Sequence, residues 1–456
     1  MKTYILMITS MVAIGICIAD SSLLRFAGIS NIYVIINSNL VLFSFFISIF
    51  GITNLFLLYS IAKGRKQLDI QDKHSITVVT SKWRSNSDFW IVSLVQIVIL
   101  GILVVMLFQM TFTKTYYLIE VLFLVYCSFT LAFTFIFRLT LRFYKWYRSK
   151  QSRMFLLYCI LFVIILTNYL VFLSYVSIDL SYHSMIIKPV STRMFFASLY
   201  DISPYIEGGL NFFYDILTFI SFIVAWITTV ILLKSYSKKI GLIKYWILSC
   251  IPLVYFLSRY DLLINPLIQY LGIAGVQFSV PYLTFLSATQ QIGGIMFGIY
   301  YWVVSSRVLS RNLKDYLVLS GIGMMFIFGS NEIQGLLISY FPPFGLITVL
   351  FMGLGSYLLF LGLFELAAFV ARNSEIRTAV NKTIGELSLV KNIGRSEIER
   401  IVGTKVARLA KIAQKNDTEI KEYEFDNEEL KEMVEDIINE VHSSKRISYK
   451  DDNDNA

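Results

Sequence analysis

The feature that most constrains this chain is a succession of apolar runs, many of them close to or above 20 residues long. A helix of about 20 residues spans the roughly 30 Å hydrocarbon core of a bilayer. A soluble fold has no use for so many such runs. Composition agrees: 56% of the 456 residues are hydrophobic and 16% charged, against roughly 25% charged in soluble domains. The expected fold is all-α, a polytopic helical membrane bundle over residues 1–371 with a short helical cytoplasmic tail over residues 372–456.

Read against their charged flanks, the runs give ten candidate spans. They are Tyr4–Ala19, Tyr33–Ala62, Phe89–Thr113, Tyr117–Phe137, Met154–Ile178, Leu210–Leu233, Tyr245–Leu263, Leu283–Val304, Leu317–Phe341 and Leu346–Val370. The second is long enough to tilt or break near Gly51–Asn54. Pro252, Arg259 and Asp261 interrupt the seventh. The first ends Cys17-Ile18-Ala19 and is read as a retained span, with a cleaved signal peptide as the alternative.

Orientation follows from Lys and Arg placement. The connections after spans two, four, six and eight carry 19 basic residues, from Lys63 to Lys314, whereas the alternate connections carry five: Arg25, Lys114, Lys188, Arg193 and Arg259. Cytoplasmic termini in a cell membrane follow if all ten cross. Trp83, Trp90, Trp146, Trp246 and Trp302 fall at the expected cytoplasmic boundaries, where an indole keeps its N–H wet; Trp226 is the exception.

Catalytic chemistry finds little support. Cys17, Cys127, Cys159 and Cys250 lie in four different apolar runs, and His74, His183 and His442 in three separate polar stretches. Neither pattern resembles a metal or disulfide framework. A phosphate-binding glycine loop and a serine nucleophile elbow are also missing. An enzyme is not expected, and no cofactor is implied.

Ionisable residues inside a span are costly and mark function by default. Glu120, Asp215 and Glu365 lie near span ends and are excused by interfacial water. Glu332 is not, at nine residues or about 13 Å from the outer end of span nine. Its neighbours are Asn331 and Gln334; Gln290 and Gln291 on span eight and Asn168 on span five lie at similar depth. These six residues form a candidate polar layer in the outer half of the bilayer. It serves either as hydrogen-bonded glue between helices or as the lining of a solute or cation pathway. Gly294-x-x-x-Gly298 further suits close helix packing.

The tail changes character midway. Residues 372–415 hold ten Lys/Arg against four acids, and residues 416–456 hold five against fourteen. The basic half suits anionic inner-leaflet lipids; the acidic half suits the cytosol and a protein partner. Ser396-Glu397-Ile398-Glu399 reads as a capping box opening a helix. Nucleic-acid binding has no motif to support it.

Leu313-Lys314-Asp315-Tyr316-Leu317, Ser330-Asn331-Glu332, Phe341-Pro342-Pro343-Phe344-Gly345 and Ser356-Tyr357-Leu358 resemble segments of multi-span membrane proteins from ammonia-oxidising archaea. The resemblance covers the last three spans and the start of the tail. It implies lineage and a membrane location, and no activity or binding residue. The leading functional expectation is a transporter-like permease for a small solute or cation. The alternative is a membrane sensor or assembly subunit signalling through its tail.

Overall fold

The computed structural model describes residues 3–29, 36–71, 78–181, 186–187, 204–234, 241–258, 276–306, 311–330, 342–372 and 392–398. Ten long helices occupy this set, and each overlaps one of the ten apolar runs. They are α1 (Thr3–Ile29), α2 (Ile36–Gln71), α3 (Val78–Phe112), α4 (Leu118–Lys150) and α5 (Arg153–Ser181). Next come α6 (Pro204–Lys234), α7 (Leu242–Ser258), α8 (Val276–Ser306), α9 (Arg311–Ser330) and α10 (Leu346–Arg372).

Among the described residues, seven helices contain a stretch long and apolar enough to cross a membrane: α2, α3, α4, α5, α6, α9 and α10. Shorter apolar stretches, Tyr4–Asp20 and Leu242–Val254, lie in α1 and α7. The outer faces stay apolar. Leu94, Ile97, Phe108 and Phe112 on α3 are all exposed, a surface that water would not tolerate over this extent. The chain is an all-α integral membrane protein.

α10 lies at the centre of the bundle. Its apolar stretch Leu346–Ala371 is buried throughout, which fits a helix that is hydrophobic all round. It packs on α9 and α4, and also touches α1, α2 and α3. α8 packs on the far side of α9, α5 on α4, α6 on α5, and α7 on α8.

Glycine sets the spacing in the α8–α9–α10 stack. A Cβ at Gly298 would lie 2.3 Å from the Gly321 carbonyl oxygen, and one at Gly323 would lie 2.7 Å from that of Gly355. α9 thus turns Gly321 to α8 and Gly323 to α10, so both neighbours approach to backbone contact. The expected role of Gly294-x-x-x-Gly298 is met, since a Cβ at Gly294 would meet the Phe328 backbone at 2.9 Å. Without a hydrophobic drive between helices in lipid, such close packing is what holds them together.

Several expectations change in the folded chain. α2 runs unbroken through Gly51–Asn54, because Gly51 seats the Leu100 side chain of α3 and Asn54 donates to Gln96 Oε1 at 2.6 Å. Trp146 and Trp302 are buried and give their N–H groups to protein acceptors instead of interfacial water. Trp226 donates to the Ser249 carbonyl at 2.7 Å, which accounts for an indole away from the boundary. Pro252 sits inside α7 and has no N–H for the Leu248 carbonyl one turn earlier. The Tyr300 hydroxyl of α8 donates to that carbonyl instead.

A two-stranded ribbon ties one end of the bundle. β1 (Tyr116–Tyr117), between α3 and α4, pairs antiparallel with β2 (Ile186–Ile187), between α5 and α6. Both connections belong to the set with few basic residues, so they share an end, as the charge pattern requires. At the other end, Arg138 of α4 donates to Asp88 of α3 at 2.8 Å.

Candidate functional site

The α1–α8–α9 junction holds a small cavity. Ile14, Cys17 and Ile18 of α1, Gln291 and Ile295 of α8, and Met325, Phe326, Gly329 and Ser330 of α9 line it. Its free space of about 10 Å³ holds roughly one water molecule. Close packing explains the location: Gly294 and Gly298 draw α8 onto α9, and α1 covers the seam. Gln291 and Ser330 are both buried and supply the polar part of an otherwise apolar lining. Ser330 is the last described residue of α9, so the sequence leads from this cavity directly into Asn331 and Glu332.

Of the six residues expected to form the polar layer, the structure therefore places Gln291 at this cavity. Asn168 is buried elsewhere, in the α5–α6 interface, where its side-chain amide donates to Thr218 Oγ1 at 3.1 Å. Gln290 lies within α8, with its side chain outside the described residues. Asn331, Glu332 and Gln334 also lie outside them.

Beside the cavity is a carboxylate that the sequence reading passed over. Asp20 is fully buried on α1. Its Oδ2 accepts from the Thr348 backbone N–H and from Thr348 Oγ1, each at 3.0 Å. Thr348 Oγ1 also lies 3.1 Å from the Cys17 carbonyl. Asp20 thereby caps α10 from a different helix: it meets N–H groups that have no partner in the first turn, and its charge faces the positive end of the helix dipole. The only signal in sequence was one acid at the edge of an apolar run, with nothing to say which helix start it would meet.

Other buried or half-buried polar side chains pair across helix contacts. Asn54 with Gln96 joins α2 to α3, and Gln109 with Glu120 joins α3 to α4 at 2.7 Å. Ser128 of α4 donates to the Val349 carbonyl of α10 at 3.0 Å and accepts from the Gly353 N–H at 3.2 Å. Such pairs hold neighbouring helices together.

A second cluster lies at the opposite end, and it includes the tail. Residues 392–398 are helical, so Ser396 sits inside a helix and not at its cap. Glu397 is 2% exposed. One of its oxygens accepts from the Arg142 guanidinium at 2.7 Å, and the other accepts from Trp146 Nε1 at 3.1 Å. The Arg142 guanidinium also lies 4.8 Å from the Phe364 ring centre. One turn away the same pattern recurs, with Arg138 held by Asp88 and lying 4.9 Å from the Phe360 ring centre. The i, i+4 spacing of Arg138 with Arg142 and of Phe360 with Phe364 was visible in sequence. That the two pairs face each other was not.

Among the described residues, no three His, Cys, Asp or Glu side chains converge as metal ligands. No family model, curated protein or solved structure matches the chain. Its class, an all-α integral membrane protein, rests on its own helices.

Proposed function

We propose that this protein is a ten-span permease-like membrane protein for a small polar solute or cation, with its pathway at the α1–α8–α9 junction. The observation that carries this reading is the cavity where Gln291 and Ser330 meet in an apolar wall, at the point where the sequence passes from α9 to Asn331 and Glu332. Polar groups in the membrane interior are retained where they pair or line a pathway. The cavity as it stands is water-sized, which suits an occluded state of a gated path. Cytoplasmic termini, a basic tail half on anionic lipids and an acidic half free for a protein partner complete the proposal. The archaeal lineage is part of the same reading.

Cys17 offers the test, since it lines the cavity and is a free thiol. With Cys127, Cys159 and Cys250 replaced by Ala, a small methanethiosulfonate reagent added outside should modify Cys17 as the path opens. Glu332→Gln should abolish cation or solute flux into proteoliposomes while leaving melting unchanged. An inert Cys17, together with normal flux in the Gln variant, would reduce the polar groups to structural glue.

A second reading, a sensor that signals through its tail, is favoured by one observation. The buried Glu397 joins the tail to α4.

A further inference from the structure

We propose that residues 392–398 form a latch that couples the position of the cytoplasmic tail to the packing of α4 against α10. This inference stands independently of the permease reading.

A surface tail of this composition has no need to bury an acid. Taking a carboxylate and a guanidinium out of water is costly, and the pair is kept only where the geometry returns that cost. Here the return is complete on the Glu397 side: Arg142 satisfies one oxygen and Trp146 the other. The docked segment also fits by shape. Ile393 is fully buried within the bundle core, and a Cβ on Gly394 would fall 2.2 Å from Val370 Cγ1. Only glycine lets the segment lie this close to α10.

The latch grips both helices at once. Arg142 and Trp146 belong to α4, while Phe364 and Val370 belong to α10. Arg142 lies between them, holding Glu397 on one side and the Phe364 ring on the other. The second rung, Arg138 with Asp88 and Phe360, extends the same grip to α3. A shift of α10 along or around α4 moves Phe364 from under Arg142 and Val370 from under Gly394. It therefore weakens the seat of the tail. By linkage the converse holds, and removing the tail from its seat loosens the inner half of α10. Outer contacts such as Asp20 with Thr348 lie at the other end of α10 and are spared.

The test uses the full chain in lipid nanodiscs, with the four native cysteines replaced by Ala and the pair Val370→Cys and Ser396→Cys introduced, so that Gly394 is retained and the buried Ser396 changes by little more than one atom. Cross-linking by a flexible bifunctional thiol reagent reports the docked tail, and amide hydrogen exchange in α10 reports the helix. Glu397→Gln and Arg142→Gln should each slow cross-linking and speed exchange over residues 360–370. Exchange over residues 346–353 should not change. The charge swap of Arg142→Glu with Glu397→Arg should restore part of both. Glu397→Gln keeps the size of the side chain and an acceptor oxygen, so it alone serves if the Arg142 variants fail to fold. Loss of one bond to a charged group corresponds to about a tenfold slower cross-link. Cross-linking unaffected by these variants would overturn the docking. Slower cross-linking with unchanged exchange over residues 360–370 would overturn the coupling.

Discussion

Gly298→Ala tests the packing argument most directly. The added methyl carbon would stand 2.3 Å from the Gly321 carbonyl oxygen and 2.2 Å from Met325 Cγ. Met325 can rotate away, but the carbonyl belongs to the α9 backbone and cannot. Ordinary contact for such a pair begins near 3.4 Å, so the α8–α9 seam must open by the difference, 3.4 − 2.3 = 1.1 Å. A gap of about 1 Å forfeits up to half of each dispersion contact along the seam. Overpacking of this kind costs about 1–3 kcal/mol, and the backbone obstacle puts the expected loss near 2–3 kcal/mol. Gly101→Ala is the matched control: it makes the same chemical change on the exposed side of α3, where nothing lies within 4 Å. That change should be neutral or slightly stabilising, because Ala is the better helix former. Thermal melting of both variants in one detergent should place Gly298→Ala clearly below Gly101→Ala. Equal melting would mean that α8 and α9 are not held at backbone contact, and the account of the stack would fail.

Two further predictions follow from the bundle. Tyr300→Phe removes the donor to the Leu248 carbonyl and should cost about 1–3 kcal/mol as an unmet buried acceptor. Pro252→Ala returns a backbone N–H to that carbonyl, so the double variant should melt above Tyr300→Phe alone; an additive loss would refute the pairing. For topology, single cysteines replacing Ser75 and Ser149 should resist an impermeant thiol reagent in intact cells, while one replacing Ser184 should react. The opposite labelling pattern would invert the bundle.

The sequence by itself determined the membrane class and where the long apolar helices lie. Those properties reside in segment length and flanking charge, quantities that need no partner to be read. Each of the ten apolar runs overlaps a helix among the described residues, and the β1–β2 ribbon joins two connections that both carry few basic residues. The close approach of α8 to α9 was also visible, because two glycines four residues apart carry it.

What the tertiary structure decided is which polar groups meet. Asn168 and Gln291 looked alike from depth alone, yet one pairs with Thr218 and the other lines the cavity with Ser330. Depth gives a height along the membrane normal, whereas pairing depends on the rotation of each helix and the order of helices around the bundle. The same reason hid Asp20, whose partner lies 328 positions along the chain. It hid Glu397 as well, since local spacing suggested a helix cap in a tail segment lying on lipid headgroups. Packing instead drew this acid under α4, because Arg142 and Trp146 present one donor for each of its oxygens.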